Sequence, residues 1–170
     1  MDDDKTDNVL IRDLGPGDDV ERLVAIALAA WPPLHEYLRE RMGEELYRAA
    51  HPDWRKDKAE QIRAACRPGS GAGVCVAEIA GRIVGFATYY TGVRPGMGEI
   101  GNNAVEPDCQ GRGVGTRMYE YVFARLKQRG MEFVKVGTGV DPAHAPARRA
   151  YEKAGFATGI PKGIEYYRKL

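Results

Sequence analysis

The sequence predicts an α/β fold: one mixed sheet flanked by helices. Three observations point there. Apolar runs of strand length alternate with segments of helical period, in the order strand, helices, three strands, helix, strand, helix, strand. Turn signals rich in Gly and Pro separate these segments. No repeat, low-complexity tract or linker divides the 170 residues, a length that suits one domain over 9–170 after a loose polar tail at 1–8.

The elements follow in order. Val9–Leu14 is a short apolar strand, and Gly15-Pro-Gly-Asp-Asp19 supplies a turn and a helix cap. Val20, Leu23, Val24, Ala27 and Leu28 recur at helical spacing, and Trp31-Pro-Pro33 is expected to end that helix. A second helix is expected from Leu34 to Ala50 and a third from Lys56 to Cys66. After the loop Arg67–Gly73, Val74–Ala80 and Ile83–Tyr90 read as a hairpin turning at Gly81-Arg82. Met97–Val105 is the next strand. Gly113–Arg129 is the strongest helix, with Met118, Val122 and Leu126 four apart and Gly130 as its stop. Met131–Gly137 reads as a strand covered on both faces, Pro146–Ala154 as a short helix, and Gly163–Leu170 as a last strand.

Composition narrows the function. Lys plus Arg is 25 and Asp plus Glu is 24, so the formal charge is +1, which argues against a dedicated nucleic-acid binder. No apolar run approaches the ~20 residues that span a bilayer, and the acidic start Met1-Asp-Asp-Asp-Lys5 is no secretory signal, so neither a membrane partner nor export is expected. Cys66, Cys75 and Cys109 are scattered and read as reduced thiols of a cytoplasmic protein. His35 and His51 lack ligand spacing, so no metal is expected.

The most informative stretch is Gln110-Gly-Arg-Gly-Val-Gly-Thr116, between a strand and the long helix. Glycines at alternate positions let successive backbone N–H groups converge, and a helix N-terminus adds unpaired donors and the positive end of its dipole. That combination binds phosphate or diphosphate. From Gln110 to Gly130 the chain also carries Arg112, Arg117, Arg125, Lys127 and Arg129 against one acid, Glu120. No Lys follows the glycines, so the loop is not that of a P-loop NTPase, and a GxGxxG dinucleotide turn fails at Thr116 and at Met118.

The remaining pattern, Gln-x-x-Gly-x-Gly, resembles the coenzyme A loop of the GCN5-related N-acetyltransferase (GNAT) family. His144-Ala-Pro-Ala-Arg-Arg-Ala-Tyr-Glu-Lys-Ala-Gly-Phe156 is similar to that family's last cofactor-contacting helix and starts 34 residues after Gln110. The resemblance covers Val74 to Leu170 well and residues 9–66 only in general plan. It implies a central, mostly antiparallel twisted sheet and acetyl transfer from acetyl-coenzyme A to a primary amine, on a small molecule or a peptide, by direct attack. A coenzyme A sensor without turnover, a longer acyl group and a homodimer stay open.

The resemblance also implies roles. Backbone N–H groups of Asn103, Ala104 and Val105 would hold the pantetheine arm, and Gln110, Gly111, Arg112, Gly113, Val114, Gly115 and Thr116 the diphosphate. His144, where the family often has Asn, and Ala147 would contact the cofactor on a helix face shared with Tyr151. Tyr151 would contact it too and protonate the departing sulfur. Glu99, eleven residues before Gln110, is the candidate base, or else a solvated strand-edge carboxylate. Strict alternation would put Glu99, Gly101 and Asn103 on one face. His144 is either a cofactor or proton-transfer residue or a surface cap beside Asp141. Arg148, Arg149 and Lys153 either meet the cofactor's 3′-phosphate or form a solvated face, and Gly137-Thr-Gly139 either lines the site or only turns the chain. The aromatics Trp31, His35, Tyr37, Trp54, Tyr89, Tyr90 and Tyr166 are candidates for the acceptor cavity.

Overall fold

The hairpin is the seed of the sheet. Strand β2 (Ala72–Ile79) turns through Ala80 and Gly81, both at positive φ, into β3 (Arg82–Arg94), with Ile79 opposite Arg82. The turn therefore lies one residue earlier than the sequence reading placed it. On the far side of β2 lies β1 (Val9–Asp13), and β3 pairs with β4 (Met97–Val105). Strand β5 (Phe133–Val136) completes the order β1-β2-β3-β4-β5, antiparallel except for the parallel β4–β5 pair. The computed structural model describes residues 8–157, 159–162 and 165–168. Of the tail expected over 1–8, residues 1–7 lie outside these. Of the strand expected over Gly163–Leu170, residues 163, 164, 169 and 170 lie outside them, and 165–168 form no strand.

Helices cover both faces. On one, α1 (Val20–Ala30) and α4 (Trp54–Cys66) bury Leu23, Ile26, Ala27, Ala59 and Ile62 against Val76, Phe86 and Ala104. On the other, α5 (Val114–Gln128) buries Met118, Val122 and Leu126 against Ala77, Ala87, Tyr89 and Ile100, each such side chain contributing roughly 1.5–3 kcal/mol. Asp19 caps α1 and Asp53 caps α4.

Three sequence expectations need correction. Pro32 and Pro33 do not merely stop α1; they open α2 (Pro32–Met42), because a first-turn proline loses no helical hydrogen bond. The single helix expected over 34–50 is two, since the chain breaks at Gly43 before α3 (Glu44–Ala50). Strand β5 is not covered on both faces: it is the last strand of the described sheet, and Phe133 is 65% exposed. The final helix, α6, runs from Ala145 to Lys153 after a short 3-10 turn at Pro142–His144.

Candidate active site: a cleft between β4 and α6

The cleft arises from two irregularities in the sheet. The parallel ladder between β4 and β5 stops at Ile100–Val136, so β4 runs on through Gly101–Val105 with no strand on that side among the described residues. Strand β4 also carries a bulge. Ala87 pairs with Asn103 and Tyr89 with Ile100, so three steps on β4 match two on β3, and Thr88 Oγ1 donates to the bulged Asn102 carbonyl at 3.2 Å. A cavity of about 740 Å³ opens there. Every residue expected to catalyse or to hold the pantetheine arm and diphosphate lines it except Arg112, which is exposed outside it; of the aromatics expected at the acceptor cavity, Trp31 lines it and His35, Tyr37, Trp54, Tyr89, Tyr90 and Tyr166 do not, nor do Arg148 and Arg149. Thr138 and Lys153 line it as well.

One end of the cavity is the glycine loop. Gly111 and Gly113 take φ of 74° and 76°, a region closed to most side chains, and this turns the chain into α5. The helix has no side-chain cap; its first backbone bond runs from Arg117 N to Gly113 O. The N–H groups of Val114, Gly115 and Thr116 thus have no intrahelical acceptor, and all three residues line the cavity. The donor set suits an anion with several oxygens. Gln110 braces the loop instead of reaching inward: its Nε2 donates to Val105 O at 2.9 Å. The cations of α5 are divided. Arg125, Lys127 and Arg129 stand near its C-terminal end, roughly 20 Å from the loop at 1.5 Å per residue. There Arg125 pairs with Asp13, and Arg129 lies over the Tyr89 ring. They reinforce the far end of the helix dipole, not the cradle.

At the centre stand Asn103, Tyr119 and Tyr151. The Asn103 side-chain NH₂ donates to Gly101 O at 3.1 Å and to the Tyr151 hydroxyl at 3.2 Å, while its Oδ1 accepts from the Tyr119 hydroxyl at 2.9 Å. A carbonyl can only accept, so Gly101 O fixes which way the amide points. Tyr151 therefore accepts from Asn103 and keeps its own proton to give. Burial raises the pKa of Tyr151, against the opposing effect of the Asn103 bond, and so holds it protonated. Burial, with Tyr151 beside it, raises that of Tyr119 as well. Tyr119 is a member of this group that the sequence motifs did not single out; its position on the inner face of α5, one turn past the glycines, was the available signal.

His144, Ala147 and Tyr151 share the cavity-facing side, as their spacing implied. His144 is not a plain surface cap. Its Nδ1 lies 2.6 Å from Asp141 Oδ2, and Asp141 Oδ1 also accepts from the His144 backbone N–H at 3.1 Å. Burial raises the Asp141 pKa, but the bonds from His144 more than offset this, and the carboxyl lies below its ordinary value. Arg148 holds the preceding loop by donating to Gly139 O at 2.6 Å and Asp141 O at 2.8 Å. That leaves it committed to the loop rather than pointing at a phosphate. Gly139 is required by contact: a Cβ there would meet His144 Cε1 at 2.7 Å.

Glu99 lines the cavity but not on the expected face. The bulge places Gly101 and Asn102 together against Thr88, so the alternation slips by one: Asn103 faces α5 and Glu99 faces the other side, opposite Tyr90. Its Oε2 sits 2.9 Å from Lys135 Nζ. The opposite end of the cavity is walled by Trp31, Pro33 and Leu34 as α2 crosses to touch the turn at Pro142–His144. Behind that wall His35 stacks on Trp54 with ring centroids 3.9 Å apart.

An open α/β/α sheet that parts beside an uncapped helix N-terminus defines the class of acetyltransferases with the GNAT fold. The family model described as "Acetyltransferase (GNAT) family" matches residues 31–156, and the chain belongs to that family. Among curated relatives, mycothiol acetyltransferase from Saccharomonospora viridis is 30% identical over 172 residues, covering 94% of this chain and 49% of that protein. Mycothiol acetyltransferase from Thermomonospora curvata is 37% identical over 86 residues, covering 50% of this chain and 28% of that protein. The chain thus spans about half the length, or less, of these relatives. Among solved structures, PaiA N-acetyltransferase from Thermoplasma acidophilum in complex with coenzyme A superposes with a TM-score of 0.69 at 16% identity, covering 92% of this chain and 94% of that one. At that identity the likeness shows the fold.

Proposed function

We propose that this chain transfers the acetyl group of acetyl-coenzyme A to a primary amine. The observation that carries the reading is the uncapped α5 N-terminus opening, through Val114, Gly115 and Thr116, into the same cavity as Tyr151. Membership of the GNAT family and the acetyltransferase names of its relatives support it. So does the coenzyme A bound by the Thermoplasma neighbour.

The residues divide the work. Gly111–Thr116 would hold the diphosphate through backbone donors, with Gln110 fixing the loop to the end of β4. Asn103–Val105, unpaired toward β5, offer N–H groups to the pantetheine arm and the thioester carbonyl; one donor aimed at developing charge contributes about 3–4 kcal/mol. Coenzyme A supplies a thioester whose carbonyl carbon the amine nitrogen attacks, forming C–N as C–S breaks. Tyr151 gives its hydroxyl proton to the departing sulfur, and Asn103 and Tyr119 hold that hydroxyl in place. The attacking amine must first lose a proton, since a free alkylamine has a pKa of about 10. Glu99 is the base in this reading and takes that proton; the second proton that nitrogen sheds as the amide forms restores the Tyr151 hydroxyl, leaving an amide, a free thiol and one proton that Glu99 releases to water. A second reading makes His144 the base, because Asp141 holds its Nδ1 and orients the ring as in other carboxylate–imidazole pairs.

The test is thiol release from acetyl-coenzyme A with a panel of amines, for wild type and Tyr151→Phe. The variant is expected to lose tenfold to a thousandfold in kcat with little change in coenzyme A affinity. Unchanged turnover with an accepted amine removes Tyr151 from the acid role.

A further inference from the structure

Behind the acceptor end of the cavity stands a cation that, among the described residues, no carboxylate pairs with. Lys58, on α4, is half-buried. Its Nζ donates to Asn102 Oδ1 at 2.9 Å and to Gln61 Oε1 at 3.0 Å, and lies 4.3 Å from the centre of the Trp31 ring. Asn102 and Trp31 both line the cavity. Among the described residues no acidic group forms an ion pair with it. Its partners are neutral, and an ammonium has three protons to donate, of which these two amides take two. The surroundings deepen the imbalance. The charges that act on the neighbouring His35 are all positive: His51, Lys58, Arg55 and Arg39. Arg55 lies over Trp54, and of these groups only Arg39 has a carboxylate partner, Glu44. Burial pulls the Lys58 pKa down with no opposing charge to hold it up.

A part-buried cation without a counter-ion is costly unless a ligand completes it. The bulge explains how it reaches the site: by putting Asn102 on the α4 side of the sheet, it hands the lysine to the cavity wall. Glu99, on that same side of β4 and three residues away, supplies the opposite sign. From this arrangement we infer that the acceptor is an amine that also carries an anionic oxygen group, a carboxylate foremost, bound through Lys58 and Asn102 beside the face of Trp31. This rests on the acetyltransferase reading and narrows its acceptor. It disfavours polyamines and other polycations, whose charge Lys58 repels.

The experiment measures thiol release with excess acetyl-coenzyme A for matched acceptors: the L-α-amino acids, their methyl esters and amides, aminoethylphosphonate, and spermidine. Wild type, Lys58→Gln and Lys58→Arg are compared, with coenzyme A affinity of each measured by calorimetry. The expected result is that the best carboxylate acceptor exceeds its own methyl ester tenfold to a hundredfold in kcat/KM. Lys58→Gln collapses that ratio toward one, chiefly by raising KM for the acid, and Lys58→Arg restores most of it. Preferential use of aminoethylphosphonate with the same Lys58 dependence keeps the anionic class and assigns it to phosphonate or phosphate. Equal or better use of esters, amides or spermidine overturns the inference, and so does a full panel without turnover in protein that still binds coenzyme A. Loss of coenzyme A binding in wild type instead overturns the acetyltransferase reading itself.

Discussion

Acid should loosen the wall that α2 and α4 build beside the acceptor end, and His35 is the reason. Its ring is 9% exposed, stacked on Trp54 with 11° between planes, and its Nδ1 lies 3.1 Å from the Tyr47 hydroxyl. Burial foremost, then the positive charge of His51, Lys58, Arg55 and Arg39, lowers its pKa from 6.5 to about 4. In the unfolded chain the imidazole protonates near its ordinary value, about 6.5. Below that pH the unfolded state holds more protons than the folded one, so stability falls as pH falls, until the folded ring also protonates near pH 4. At about 1.4 kcal/mol per pH unit the whole window amounts to about 3 kcal/mol, of which about 2 kcal/mol lies between pH 7 and pH 5. Urea unfolding of wild type and His35→Phe at both values measures it. The phenyl ring keeps the stack, and the orphaned Tyr47 hydroxyl costs the same at each pH. The variant should lose about 2 kcal/mol less than wild type on acidification. Equal losses in the two proteins refute the reasoning.

Two further outcomes are expected. Glu99→Gln and His144→Gln separate the two candidate bases: the variant lacking the true base loses the acidic limb of its kcat/KM–pH profile, and the other keeps it. Gly139→Ala forces the imidazole of His144 away from the loop, costing about 1–3 kcal/mol in urea unfolding; an unchanged midpoint shows that the loop yields instead.

Much of this arrangement was legible in the chain, and the illegible parts share a cause. The α5 period, the glycine loop and the His144–Ala147–Tyr151 face are local patterns, set within one or two helical turns, and each stands where the spacing placed it. The bulge in β4 is not local. It is defined by which residue of β3 faces Gly101 and Asn102, and nothing inside Met97–Val105 declares it. Strict alternation therefore gave Glu99 the wrong face. The Lys58–Asn102 bond joins residues 44 apart and depends on that same bulge. The exposure of Phe133 on β5, the last strand among the described residues, was hidden for a related reason: an apolar run reads alike in a central strand and at an edge. Asp141 is the intermediate case, adjacent to His144 in sequence, yet its grip on Nδ1 needs the turn that Pro142 begins.

Cofactor binding, and with it the proposed acetyl transfer, depends on backbone donors at the start of α5 gripping a diphosphate. Titration calorimetry with coenzyme A and with pantetheine, which lacks the diphosphate, tests this most directly. Saturable one-to-one binding of coenzyme A, at least tenfold tighter than pantetheine, is the predicted result; equal affinity for the two, or no heat with coenzyme A at millimolar concentration, contradicts it.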